Sequence, residues 1–99
     1  MHGRWSAIFD LFGVRIMLDI RVIFVANELT PGLDNGNYMV PEGSTVRELI
    51  AACEEQCVST VPEESFNLMY PLFCGKPVKM DTKLTKDGTM YFCRIVMGG

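Results

Sequence analysis

An α+β fold, with one main helix laid across a mixed sheet of four or five strands, is predicted by three features of this chain. A period-two apolar alternation stands early, a period-3.6 stripe stands in the middle, and two strand-like runs separated by turn residues close the sequence. The 99 residues suit one domain with a core of its own. A hydrophobic content of 48% with 21% charged residues describes a globule, and no run approaches the ~20 apolar residues of a membrane span. The formal net charge of −3 disfavours an electrostatic grip on nucleic acid or on an anionic membrane, and favours a protein partner with a basic face.

The stretch MLDIRVIFVANE alternates Leu18, Ile20, Val22, Phe24 and Ala26 against Asp19, Arg21, Ile23, Val25 and Asn27, which predicts a strand with one buried face. Pro31, Gly32 and the pair Asn35-Gly36 then supply turn chemistry, and NYMV returns as an antiparallel strand. In PEGSTVRELIAACEEQC the period changes, and Val46, Leu49, Ile50, Cys53 and Cys57 line one stripe of a helix. Thr45 and Glu48 have the spacing of a capping box, in which the hydroxyl serves an orphan amide and the carboxylate reaches back to the cap. NLMYPLFCGKPVKM reads as a strand broken by a turn at Gly75-Lys76-Pro77. Pro71 has no N–H for a ladder, so this strand is expected at an edge or with a bulge. DTKLTKDGT connects to the last strand, MYFCRIVM.

Strand, strand, helix, strand, strand is the β-grasp arrangement. Its helical crossover makes the first and last strands parallel neighbours.

Residues 1–16 precede this pattern as an N-terminal extension, and residues 17–99 form the β-grasp domain. In the extension Trp5, Ile8, Phe9 and Phe12 stand at i, i+3, i+4 and i+7 before Gly13, which predicts a short amphipathic helix; Met17 as the start of translation is the alternative. Asp10 interrupts the apolar stretch, and no small-residue cleavage site follows, so a signal peptide is not expected.

Cys53, Cys57, Cys74 and Cys93 form no CxxC, and His2 is the sole histidine, so no metal site is expected. Free thiols in a reducing cytoplasm are the expectation.

The segments VPEGSTVRELI and GKPVKMDTKLTKDGTMYFCRIVMGG carry a resemblance to the sulfur-carrier proteins of the MoaD and ThiS families, ubiquitin-like β-grasp proteins. It covers about residues 17–99. The family's turn commonly has asparagine where Cys74 stands here, an acidic residue where Thr89 stands, and prolines where Arg94, Ile95 and Val96 lead to the tail.

The resemblance implies that the chain is a cosubstrate with no catalytic side chain. A MoeB- or ThiF-like partner, using ATP and Mg²⁺, would adenylate the carboxylate of Gly99, and sulfur would displace AMP to give a thiocarboxylate. Gly98 would let the backbone lie flat in the partner's channel. The sulfur acceptor would be a molybdopterin-synthase large subunit or a thiazole synthase. Leu72, Phe73, Arg94, Val96 and Met97 are the expected partner-binding residues. A ubiquitin-like protein modifier or a non-catalytic β-grasp interaction module is the competing reading. A stand-alone enzyme ranks third, since no nucleophile-base pair stands out.

Overall fold

The computed structural model describes residues 7–10 and 13–96, with side chains from Ile16 onward. The strands are β1 (Ala7–Asp10), β2 (Gly13–Phe24), β3 (Gly36–Pro41), β4 (Met69–Phe73), β5 (Lys76–Pro77) and β6 (Gly88–Arg94), with one α-helix, α1 (Val46–Cys57), between β3 and β4. The main sheet has the order β3-β2-β6-β4-β5. β2 and β6 run parallel, with Phe24 beside Phe92, and the other pairings are antiparallel. The first and last strands of the predicted pattern are therefore neighbours in the centre, joined through the helix.

The alternation in β2 settles which face is buried. Leu18, Ile20, Val22, Phe24 and Ala26 all enter the core, as do Met90 and Phe92 from β6, and Met69 and Phe73 from β4. Phe24 and Phe92 stack with centroids 5.5 Å apart. From the helix, Val46, Leu49, Ile50 and Cys53 close the core from above.

The start of α1 shows why the sequence places a helix there. Thr45 and Glu48 form the capping box, with Glu48 N–H donating to Thr45 Oγ1 (3.1 Å) and Thr45 N–H donating to Glu48 Oε1 (2.8 Å). The amides of Val46 and Arg47 donate to the carbonyls of Thr82 and Met80, at 3.1 and 2.9 Å. The loop before β6 thus satisfies helix donors that would otherwise be orphans, and buries Leu84 as it does so.

The edge or bulge expected at Pro71 is not found, since β4 pairs with β6 on one side and with β5 on the other in unbroken register, yet Pro71 lies where its chemistry allows. Its carbonyl accepts from Val78 N–H on the side away from β6, and in a strand N and C=O of one residue face the same side, so the missing donor costs the β6 ladder nothing. The adjacent turn is one residue earlier than expected: Cys74 and Gly75 form it, and Lys76–Pro77 pairs back as β5. Both turn residues have positive φ, 53° and 83°, as a type I′ hairpin requires. Cysteine is a poor occupant of that conformation, whereas asparagine tolerates it. Cys74→Asn is expected to raise the unfolding free energy by about 0.5–1 kcal/mol, read from urea melts; an unchanged or lower midpoint would show that the turn is not strained.

The predicted helix in residues 1–16 is corrected: Ala7–Asp10 is a strand. It pairs with the start of β2 in the register Ala7 to Ile16 through Asp10 to Gly13, and β2 runs unbroken across the boundary expected at 16/17. A four-residue segment gains too little from its own period to resist pairing with an adjacent strand edge, so tertiary pairing decides its conformation.

Candidate functional site

The candidate site is built on the end of β6 and the sheet face beside it. β6 is held on both sides, by β2 and by β4, and the pairing continues past its end, where Ile95 N–H donates to Leu68 C=O at 2.9 Å. The next residue, Val96, is 87% exposed. The chain therefore leaves the sheet after a firmly anchored residue. Met97, Gly98 and Gly99, expected at the reacting end, lie outside the described residues.

Arg94 is engaged within the fold. Its Nη1 donates to Glu28 Oε2 at 2.7 Å, which ties the end of β6 to the 3-10 turn Asn27–Leu29. The Glu28 carboxyl is held below its ordinary pKa, first by a hydrogen bond from its own backbone and then by Arg94. Both side chains are about half exposed, so the pair positions the guanidinium and adds little to stability.

Period two decides which expected docking residues are available. Leu72 is half-buried on the outer face, whereas Phe73, its neighbour, points into the core at 9% exposure. Phe73 is thereby corrected from partner surface to core, because consecutive strand residues face opposite sides. The register supplies the residues that join Leu72. Tyr91 stands opposite it, Ile23 lies beside Tyr91, and Tyr70 stands opposite Cys93. Tyr70 and Tyr91 are each 38% exposed, and Val25 is 58% exposed. Alternation could have identified this group, since each of these residues precedes or follows a core residue in its strand.

The cysteines sit in different surroundings. All four are free; Cys74 is exposed, Cys57 and Cys93 are half-buried, and Cys53 is buried. Cys57 Sγ lies 3.2 Å from the Tyr38 hydroxyl and accepts from Asp34 N–H at 3.4 Å. Among the described residues no group of three or more His, Cys, Asp or Glu side chains could hold a metal ion.

Burial, with smaller contributions from Cys57 and Glu54, pushes the Cys53 thiol up to about 12. Burial and the contact with Cys57 push the Tyr38 phenol up as well. Both groups bind a proton more tightly folded than unfolded, so between the two pKa values the unfolded state holds fewer protons and stability falls as pH rises. Urea midpoints should therefore decline from about pH 9 upward, Cys53 contributing up to about 1.4 kcal/mol per pH unit. Thiol alkylation of the native protein should label Cys74 first and Cys53 only on unfolding. A midpoint flat to pH 11, or early labelling of Cys53, would contradict this placement.

No protein-family model matches the chain, and no curated protein matches it. Among solved structures it is similar to a designed protein based on ubiquitin, with a TM-score of 0.55 and 18% identity over 83% of this chain and 93% of that one. The fold is that of a ubiquitin-like β-grasp domain. Among the described residues no helix is long and apolar enough to cross a membrane.

Proposed function

We propose that the chain is a sulfur carrier whose C-terminal carboxylate, on Gly99, is the reacting group. The observation that carries this reading is the run from β6 to Gly98-Gly99. A central strand of a ubiquitin-like sheet is anchored through Ile95, and after it come Val96, Met97 and two residues without a Cβ to widen the chain.

A carboxylate is a poor electrophile. Attack of its oxygen on the α-phosphorus of ATP releases pyrophosphate and leaves an acyl-adenylate, and a sulfur nucleophile held by the partner then displaces AMP. The electrostatic work on the phosphates belongs to the MoeB- or ThiF-like adenylating partner and its Mg²⁺. The chain's own contribution is a narrow tail that reaches the partner's active site and a rigid body that positions it.

Leu72, Tyr70, Tyr91 and Ile23 offer that partner an apolar face next to the tail's exit, while Arg94, in phase with Met90 and Phe92, is held by Glu28 on the opposite side of the strand. Aromatic residues in such a patch are the type that anchors protein interfaces. The thiocarboxylate would then serve a molybdopterin-synthase large subunit or a thiazole synthase in the cytoplasm.

The test is intact-mass analysis of the protein purified from its native host. A species ending at Gly99 and heavier by the exchange of one oxygen for sulfur is the expected result. Isopeptide conjugates between the tail and lysines of other proteins would select a protein modifier instead. A chain that only ever carries an ordinary carboxylate would leave the domain an interaction module.

A further inference from the structure

Beyond the tail and its neighbouring face, one edge of the sheet is open among the described residues, where β3 pairs with β2 alone. Glu42 N–H donates to Ile16 C=O at 2.9 Å, so residues 16 and 42 form a hydrogen-bonded pair, and the alternation of an antiparallel ladder makes Val40 with Leu18 and Tyr38 with Ile20 the next such pairs. The N–H and C=O groups of Asn37 and Met39 therefore point away from β2. Among the described residues no strand meets them. Pro41 has its nitrogen on the same free side, where a missing donor costs nothing.

Between this edge and α1 runs a groove of about 560 Å³. Its helical wall is the stripe Glu48, Ala51, Ala52, Glu55, at i, i+3, i+4 and i+7, and its strand wall is Met39 to Pro41. Two alanines keep the middle of the wall low and apolar. Carboxylates stand at both ends of the stripe, with Glu42 as a third on the loop side. Glu42 and Glu55 are exposed, and among the described residues neither pairs with a cation.

We propose that this groove docks an extended basic peptide segment of a partner protein, added as a strand to the free edge of β3. Backbone donors and acceptors repeating every second residue are the complement of another polypeptide strand and not of a small molecule. Alternate side chains of the added strand face the helix. The middle one, a small branched apolar residue, sits over Ala51 and Ala52. The residues two before and two after it are Lys or Arg and reach the glutamates. Glu48 and Glu55 are about 10.5 Å apart along the helix axis, and the two basic positions about 13.5 Å apart along the strand, a mismatch that long basic side chains absorb. A second copy pairing edge to edge would bring the glutamates of two chains together, so charge favours the basic partner over self-association.

The experiment is an NMR titration of the full chain with the probe acetyl-Thr-Lys-Thr-Val-Thr-Lys-Thr-amide, beside its counterpart with Glu in place of Lys. The expected result is that amide shifts concentrate at Asn37, Met39, Ala51, Ala52 and Glu55, and that binding weakens as salt rises. Ala51→Arg and Glu55→Lys, both exposed helix positions that keep helix-forming side chains, should each weaken the probe about tenfold while leaving the melting temperature unchanged. Four results would overturn the proposal: shifts centred on Tyr70 and Tyr91, equal binding of the Glu peptide, concentration-dependent dimerisation through β3 without peptide, or no shifts at millimolar probe.

Discussion

Leu49→Ala is expected to lower the unfolding free energy by about 2–5 kcal/mol, a large part of the roughly 5–15 kcal/mol that holds a domain of this size together. Leu49 has no exposed surface and projects from the end of the first turn of α1 into a core that also contains Ile20, Val22 and Phe92. Truncation removes three carbons from a region where the sheet is fixed by its ladder and the helix start by its capping box and by Thr82 and Met80, so neither side can collapse freely into the space. The measurement is a urea melt, with the slope checked so that the midpoint reports stability alone. Leu68→Ala is the control. That leucine is 41% exposed and its replacement should cost well under about 1 kcal/mol. Equal costs at the two positions would mean that the helix does not lie on the sheet as described.

The parts of the fold legible in the sequence are those decided by a few neighbouring residues. The alternation of Leu18 to Ala26, the stripe of Val46 to Cys53 and the Thr45–Glu48 box each express a local periodicity or a local hydrogen bond, and each is found in the structure. Pro71 was legible only in part: its missing donor is a property of one residue and is kept out of the β6 ladder, but the edge expected from it is covered by β5.

The features that were not legible arise from pairing between distant segments. Nothing within Ala7–Asp10 states that β2 extends back to Gly13 to receive it. Val58, with φ 52° in the left-handed region at the end of α1, occupies a position where glycine or asparagine would have been the signal, and the sequence offers neither. The docking face was half legible: period two says that Leu72 and Phe73 part company, but which of the two turns outward follows from the register with Tyr91 and Met90. The groove was not legible at all. Ala51 and Ala52 read as ordinary helix residues until the free edge of β3 is seen beside them.

Deleting Gly99, or appending a residue after it, is expected to abolish adenylation by the cognate enzyme while leaving the melting temperature unchanged. The two halves of this expectation have separate physical grounds. Stability resides in the core that β6 enters through Met90 and Phe92, and the last described backbone bond is the one from Ile95 to Leu68, upstream of the glycines. Reactivity depends on where the carboxylate stands. Loss or gain of one residue in an extended chain moves it by about 3.3–3.6 Å, whereas a misplacement of ~1 Å can already cost on the order of 100-fold in rate. Gly98→Val tests the width of the channel without moving the carboxylate, and should slow adenylation because a branched side chain adds bulk where the backbone must lie flat. The assay is ATP–pyrophosphate exchange with the adenylating enzyme, run beside a thermal melt of each variant. Exchange lost with the melt intact is the signature of a tail that reacts. Exchange undiminished by a shortened, lengthened or widened tail would place the protein's work on its surfaces, the apolar face around Tyr91 and the acidic groove beside β3.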